Sequence, residues 1–200
     1  MEFLAAYMPM DRRQALVAGR DLPHRPQGAA LFADISGFTP LTELLARELG
    51  PKRGAEELTS YLNRVYEALI AELHRYGGSV IGFSGDAITC WFDGDDGRRA
   101  AATGLAMQAA MGAFADLEVA AGHVHSLAMK ASVAAGPVLR CVAGDPEDTL
   151  VDAIAGQTVQ RLAAGEHLAA RGEVLLDAAA AATLGDGARL REWRQDEASG

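Results

Sequence analysis

Cysteine is scarce in this sequence, whose 200 residues include only Cys90 and Cys141. Both lie in apolar runs typical of strands, so we expect reduced residues in the core rather than a disulfide. The histidines show no spacing typical of metal ligands. We expect surface or strand-end positions for four of them: His74, His123, His125 and His167.

Long apolar runs and a surplus of positive charge are missing as well. No stretch approaches the ~20 apolar residues that a transmembrane helix needs, and the first residues lack the pattern of a signal peptide. The net charge of −9 argues against a nucleic-acid groove and an anionic membrane surface, since both need clustered Lys and Arg. We therefore expect a cytoplasmic protein without nucleic-acid or membrane partners.

Apolar residues are nevertheless plentiful, at 50% of the chain, which is enough for the core of one domain. Their periodicity predicts the order β, α, α, β, β, α, β, followed by an extra hairpin, helix and strand. This order is typical of a ferredoxin-like α+β fold, with helices packed on a mainly antiparallel sheet and a C-terminal addition. We divide the chain into a leader (1–27), a domain (28–185) and a polar, frayed tail (186–200).

Caps and breakers predict the bounds of the elements. A short helix over 11–19 lies in the leader, and the first strand starts near residue 28 and ends on Asp34. A helix over 40–49 follows, with Thr39 as its N-cap, and Gly50-Pro51 separates it from a longer helix. The remaining elements are this longer helix over 54–76, a hairpin over 79–92 turning at 84–86, a helix over 98–114, a strand over 125–135, strands over 138–142 and 150–155 joined around 145–148, a helix over 157–170, a strand over 173–176 and a helix ending at 184.

The segment GAALFADISGFT, residues 28–39, contains the first candidate functional residue. It is a buried strand that ends on Asp34, and a carboxylate there is costly unless it is solvated, paired or bound to a cation. The backbone amides at the start of the following helix are free to receive an anion. The alternative is that Asp34 merely caps the turn.

A second aspartate is expected close to the first. The crossover through the two helices makes the first two strands parallel, with the third strand antiparallel between them. The turn containing Asp86 then lies at the same end of the sheet as Asp34. Because two adjacent carboxylates repel unless a cation or a proton intervenes, we predict Mg²⁺ with a polyphosphate at this place.

Two motifs in this order, FADISGFT at 32–39 and GGSVIGFSGDAI at 77–88, resemble the class III adenylyl/guanylyl cyclase catalytic domain. The resemblance extends from about residue 28 to 184. It implies that Asp34 and Asp86, with the carbonyl of Ile35, hold two Mg²⁺ ions, or Mn²⁺ or Ca²⁺. It also implies that three backbone amides hold the phosphates of ATP or GTP, those of Gly37, Phe38 and Thr39. One ion would acidify the ribose 3′-hydroxyl for attack on the α-phosphate, and the other would neutralise the departing pyrophosphate.

Three positions depart from the family pattern. Gly82 stands four residues before Asp86, where the family has a base-selecting Lys or Glu. On the late helix, Gln160 replaces the ribose-binding Asn and Ala164 replaces the Arg that contacts the transition-state phosphate. Arg161 is close in sequence, but its register on the helix differs, and we expect a surface charge there.

Cyclase sites form between two domains, and this chain retains one of the two residue sets. In this it resembles the first cyclase domain of tandem proteins of the soluble adenylyl cyclase type. The resemblance implies a half-site that makes 3′,5′-cyclic nucleotide and pyrophosphate when a second cyclase domain pairs with it, in cis or in trans. The alternatives are an inactive cyclase-homology module for regulation or dimerisation, and a ferredoxin-like RNA-binding domain, which the acidic composition disfavours.

Overall fold

The computed structural model describes residues 8–119, 122–144 and 150–195. The secondary-structure elements are α1 (Met10–Val17), β1 (Gln27–Ser36), α2 (Phe38–Leu49), α3 (Pro51–Arg75), β2 (Ser79–Ser84), β3 (Ala87–Asp93), α4 (Arg98–Met111), β4 (Leu117–Glu118), β5 (Val124–His125), β6 (Ala128–Pro137), β7 (Leu139–Gly144), β8 (Leu150–Ala155), α5 (Gln157–Leu168), β9 (Val174–Leu176) and α6 (Ala178–Leu184). Short 3₁₀ turns, Gly112–Phe114 and Gly185–Gly187, follow α4 and α6. Among the described residues, no helix is long and apolar enough to cross a membrane.

The main sheet has five strands in the order β2-β3-β1-β6-β9. β3 is antiparallel to both β1 and β2, β6 is antiparallel to β1, and β9 is parallel to β6. Because β3 lies between β1 and β2, those two strands run parallel to each other. The predicted α+β fold with a mainly antiparallel sheet is therefore confirmed, and the β2–β3 turn lies at the end of the sheet where β1 ends.

The side chains of β1 alternate between the two faces of the sheet. One set enters the main core below α2, α3 and α4: Ala29, Leu31, Ala33 and Ile35. On the other face, Ala30 and Phe32 pack in a smaller core with Leu162 of α5. Since successive side chains of a strand point to opposite faces, Asp34 shares the α5 face with Ala30 and Phe32.

The helical pair α2–α3 is divided at Gly50-Pro51, as predicted. Gly50 has a φ of 78°, and Pro51 occupies the first turn of α3, where a missing amide hydrogen costs nothing. The predicted start of this helix at residue 54 is therefore too late. Gly54 instead serves the packing of the two helices, because a Cβ there would lie 2.8 Å from the carbonyl oxygen of Leu45.

Three further boundaries differ from the predictions. β1 continues beyond Asp34, because its pairing with β6 extends to Ser36 opposite Ala128. The N-cap of α2 is Gly37 and not Thr39, which lies inside the helix. The predicted strand over 125–135 is divided into β5, which pairs with β4, and β6, which starts at Ala128.

The hairpin of β7 and β8 forms a separate two-stranded sheet, and the turn predicted around 145–148 lies outside the described residues. Because one face of the hairpin is uncovered, the prediction of two core cysteines is wrong for Cys141. Cys141 is exposed, whereas Cys90 is buried in β3, and both are free thiols.

The leader is attached to this hairpin by a cluster of four charged residues. Arg140 of β7, whose side chain is 2% exposed, pairs with Asp11 of α1 and lies 3.0 Å from Asp152 of β8. Arg12 of α1 donates two hydrogen bonds to the same Asp152 carboxylate. Every charge in the cluster therefore has an opposite partner, as burial of ionic groups requires.

The tail is also anchored as far as Arg194. The guanidinium of Arg194 donates to both carboxylate oxygens of Glu173, at 2.6 and 2.8 Å, and to the carbonyl of Leu168 at 2.7 Å. These bonds hold residues 189–194 beside α5 and β9, around a cleft of about 530 Å³. This part of the tail, for which we expected fraying, is therefore tied to the domain.

Candidate active site

Asp34 lies near the C-terminal end of β1, between two neighbouring strands. Its cross-strand partners are Ala87 at the start of β3 and Lys130 of β6. Directly opposite residues of antiparallel strands have Cβ atoms about 4.5–5.5 Å apart on one face. Register alone therefore brings a carboxylate and an ammonium together on the face that α5 partly covers.

Asp86 lies in the tight turn between β2 and β3, as predicted from the sequence. Its carbonyl oxygen accepts a hydrogen bond of 3.3 Å from the amide of Ile35. The residue that follows Asp34 is thus bonded directly to the turn, which keeps Asp34 and Asp86 adjacent. The structure brings together the two predicted carboxylate residues and Ile35 at one end of the sheet.

The electrostatics of Asp34 reflect this proximity. Burial raises the pKa of Asp34 above 3.8, and the charge of Asp86 raises it further, whereas Lys130 acts in the opposite direction. A carboxyl group whose charge is disfavoured by a neighbouring carboxylate gains most from a bound cation. A cation bound between the two carboxylates would oppose both causes that raise the pKa of Asp34.

The donor set fits Mg²⁺ or a similar hard cation. Two carboxylates and a main-chain carbonyl supply oxygen ligands, and Mg²⁺ is commonly bound by one or two carboxylates together with substrate phosphates and water. Within the described ranges, no cluster of three or more His, Cys, Asp or Glu side chains could enclose a metal. The two carboxylates and the carbonyl therefore fit a hard cation, whose coordination water or phosphate oxygens would complete.

The turn at Gly37 determines the geometry of the start of α2. Gly37 has a φ of 108°, and a Cβ there would lie 2.8 Å from the carbonyl oxygen of Ser126. The first amides of a helix lack partners within it, and no side chain caps α2. The amides of Gly37, Phe38 and Thr39 are therefore available as donors, close to Asp34 in the chain.

Two side chains that we did not predict hold the turns of the site. The Nε2 of His125 lies 2.7 Å from the carbonyl oxygen of Gly37, so Nε2 carries the donated proton. The hydroxyl of Tyr66 donates to the carbonyl of Gly85 at 3.2 Å, and burial together with the charges of Asp86 and Asp34 raises its pKa. His125 does end a strand, as expected, but the expectation did not include its contact with the turn at Gly37.

Lys130 is the most important residue that sequence reasoning missed. Its ammonium lies 2.6 Å from Oε1 of Glu166 on α5 and 3.7 Å from Oδ2 of Asp34. It also donates to the main-chain carbonyl of Glu166 at 3.3 Å. The hydrogen bond to Glu166 is the main cause that raises the pKa of Lys130, so its charge is stabilised at the site.

The positions that depart from the family pattern do not supply the missing groups. A Cβ on Gly82 would meet no atom within 4 Å, so the position is open and has no side chain to contact a base. Gln160 is exposed, and Ala164 lines the cleft beside the tail.

Arg161 is engaged away from Asp34. It is 41% exposed, and it pairs with Asp177 at 2.7 Å and donates to the carbonyl of Ala135 at 2.8 Å. Arg161 is therefore an exposed charge, as expected, and it belongs to an ion pair.

No family model matches the chain, but individual known proteins are similar to it. Adenylate cyclase type 10 of Rattus norvegicus is 28% identical over 181 residues, which is 86% of this chain and 11% of that protein. The chain thus spans about a tenth of the length of this curated relative.

Solved structures of cyclase domains share the fold. The adenylyl cyclase CyaB from P. aeruginosa superposes with a TM-score of 0.68 at 24% identity, over 81% of this chain and 82% of that chain. The guanylate cyclase domain of RhGC from Catenaria anguillulae, solved in complex with GTP, gives a TM-score of 0.64 at 18% identity, over 82% and 85%.

The chain has the fold of class III cyclase catalytic domains, with an aspartate-bearing strand end and an aspartate-bearing turn side by side. Among curated proteins it is similar in sequence to adenylate cyclase type 10.

Proposed function

We propose that this domain is a nucleotidyl cyclase half-site, which converts ATP or GTP to 3′,5′-cyclic nucleotide and pyrophosphate when a complementary cyclase domain pairs with it. The observation that carries the proposal is the juxtaposition of Asp34 and Asp86 beside the free amides of α2. A domain with a purely structural role has no need of two converging carboxylates, of which Asp34 has its pKa raised by burial and by the charge of Asp86.

Each group of the site has a distinct task in this proposal. Asp34, Asp86 and the carbonyl of Ile35 would hold two divalent cations, and the first amides of α2 would donate to phosphate oxygens. The ammonium of Lys130 lies close enough to Asp34 to add positive charge where a polyphosphate would lie. The cations, once bound, would acidify the ribose 3′-hydroxyl and neutralise the departing pyrophosphate.

The proposal requires a second domain, because this chain lacks the groups for the base and for the transition state. Loss of one electrostatic contact to a transition state typically costs about 10²–10³-fold in rate, and Ala164 offers no such contact. A homodimer would present Gly82, Gln160 and Ala164 to the cations of its partner. We therefore expect little or no turnover from the chain alone.

Titration calorimetry of the chain with non-hydrolysable ATP and GTP analogues tests the binding half of the proposal. We expect weak binding that requires Mg²⁺ or Mn²⁺ and differs little between the two bases, since phosphate and metal supply the affinity. Asp34→Asn and Asp86→Asn should abolish it. Asp93→Asn is the matched control, because Asp93 is an exposed aspartate at the opposite end of the β1–β3 pair.

The competing function is an inactive cyclase-homology module, which the departures at Gly82, Gln160 and Ala164 favour. Metal-dependent binding that is lost in both aspartate variants would speak for the half-site. Nucleotide binding that is indifferent to metal and to both substitutions would speak for the inactive module, as would strong discrimination between ATP and GTP by this chain alone.

A further inference from the structure

Lys130, Asp34 and Glu166 form a three-membered charge chain at the proposed metal site. Lys130 lies between the two carboxylates, at 3.7 Å from Asp34 and 2.6 Å from Glu166. All three side chains are similarly accessible, with exposed fractions of 25%, 27% and 21% in the order Lys130, Asp34, Glu166. Lys130 therefore contacts Glu166 more closely than Asp34, and Glu166 is not one of the proposed cation ligands.

A cation at Asp34 and the ammonium of Lys130 compete for the same carboxylate. A divalent ion that binds Asp34 must weaken the lysine contact, because two cations repel at this distance. The cost of that displacement depends on where the ammonium can go. Glu166 already holds it with its carboxylate and with its main-chain carbonyl, which belongs to the last turn of α5, where helix carbonyls lack intrahelical partners.

We propose that Glu166 is a positioning residue, which retains Lys130 when a divalent cation takes Asp34 and so lowers the cost of loading the site. This inference rests on the proposed function, since it concerns the same cation site. Without the Glu166 carboxylate, the ammonium turns to Asp34 and acts as a resident counter-ion. With it, Lys130 stays beside the site with its charge available to a phosphate.

The test measures Mn²⁺ affinity without nucleotide, from the paramagnetic resonance signal of free Mn²⁺. Glu166→Gln keeps the shape of the side chain and should weaken Mn²⁺ binding about threefold to fivefold, the upper range for an accessible ion pair. Lys130→Gln removes the competing cation and should tighten it by a similar factor. Thermal melts without metal verify that each variant is folded.

The decisive comparison is the effect of Glu166→Gln in the Lys130→Gln background. If Glu166 acts through Lys130, the effect should fall there below about twofold, which leaves only a screened through-space contribution. An undiminished effect would mean that Glu166 attracts or binds the metal directly, and would overturn the inference. The inference would also be overturned if Lys130→Gln alone bound Mn²⁺ more weakly than the wild type does.

Asp34→Asn separates failure of this inference from failure of the proposed function. If the wild-type chain binds Mn²⁺ no better than Asp34→Asn does, the cation site itself is refuted and the inference with it. If Asp34 is needed for binding but the effect of Glu166→Gln is equal in both lysine backgrounds, the inference alone is wrong.

Discussion

Replacement of Gly37 by alanine tests whether the turn between β1 and α2 is built for a ligand at the helix start. The backbone there has a φ of 108°, which costs an alanine about 1–2 kcal/mol. The new Cβ would also lie 2.8 Å from the carbonyl oxygen of Ser126, and forced contacts of this kind typically cost a further 1–3 kcal/mol or so. We expect a loss of about 2–5 kcal/mol in the free energy of unfolding.

Gly94→Ala is the matched control for this substitution. Gly94 also has a positive φ, of 65°, but a Cβ there meets no atom within 4 Å. Gly94→Ala should therefore lose only the part of the free energy of unfolding that the positive φ costs an alanine, about 1–2 kcal/mol. Urea unfolding of the two variants gives the difference that belongs to the contact with Ser126.

The same variants separate stability from ligand binding. Gly37→Ala should also lose metal-dependent nucleotide binding under conditions in which it remains folded, because relief of the contact moves the first amides of α2. Gly94→Ala should bind as the wild type does. The reasoning is refuted if Gly37→Ala is no less stable than Gly94→Ala and still binds nucleotide like the wild type.

Two further predictions concern the charge cluster between α1 and the β7–β8 hairpin. Arg140→Ala leaves the carboxylates of Asp11 and Asp152 without their shared partner and should cost about 3–5 kcal/mol, measured by urea unfolding; a loss below about 1 kcal/mol would contradict it. Burial alone would raise the pKa of Asp152, but the hydrogen bond from Arg12 and the charge of Arg140 lower it below 3.8. The stability that Asp152 contributes is present above the unfolded pKa of about 3.9 and is lost as the pH falls through the lower folded pKa. The difference in the free energy of unfolding between wild type and Asp152→Asn should therefore narrow below about pH 4. A difference that widens there would contradict this reasoning.

The juxtaposition of Asp34 and Asp86 could be predicted from the sequence because it depends on strand order alone. A crossover through two helices and a tight hairpin leave one arrangement of the first three strands, and both aspartates then lie at the same end. The exact bounds of β1 could not be predicted in this way. They depend on the pairing with β6, whose start at Ala128 no local pattern marks.

Lys130 and Glu166 could not be found by the same reasoning. The position of Lys130 depends on the register between β1 and β6, and that of Glu166 depends on how α5 lies across the sheet. Both are tertiary properties, and a lone lysine inside an apolar strand was the only local signal. The anchoring of α1 through Arg140 has the same origin, since its partners are 129 and 12 residues away in the sequence.

The central claim is that this domain supplies the cation-binding half of a cyclase site, and reconstitution with a complementary domain tests it most directly. The measurement is the rate of cyclic nucleotide formation by this chain mixed with a cyclase domain that has the base-selecting Lys, the Asn and the Arg but lacks both aspartates. We predict negligible turnover by either domain alone and turnover of about 1 s⁻¹ or more from the mixture, abolished by Asp34→Ala or Asp86→Ala in this chain. Turnover by this chain alone at such a rate would contradict the account, and Arg161 would then be the first residue to replace. Turnover by the mixture that survives both aspartate substitutions would contradict it equally.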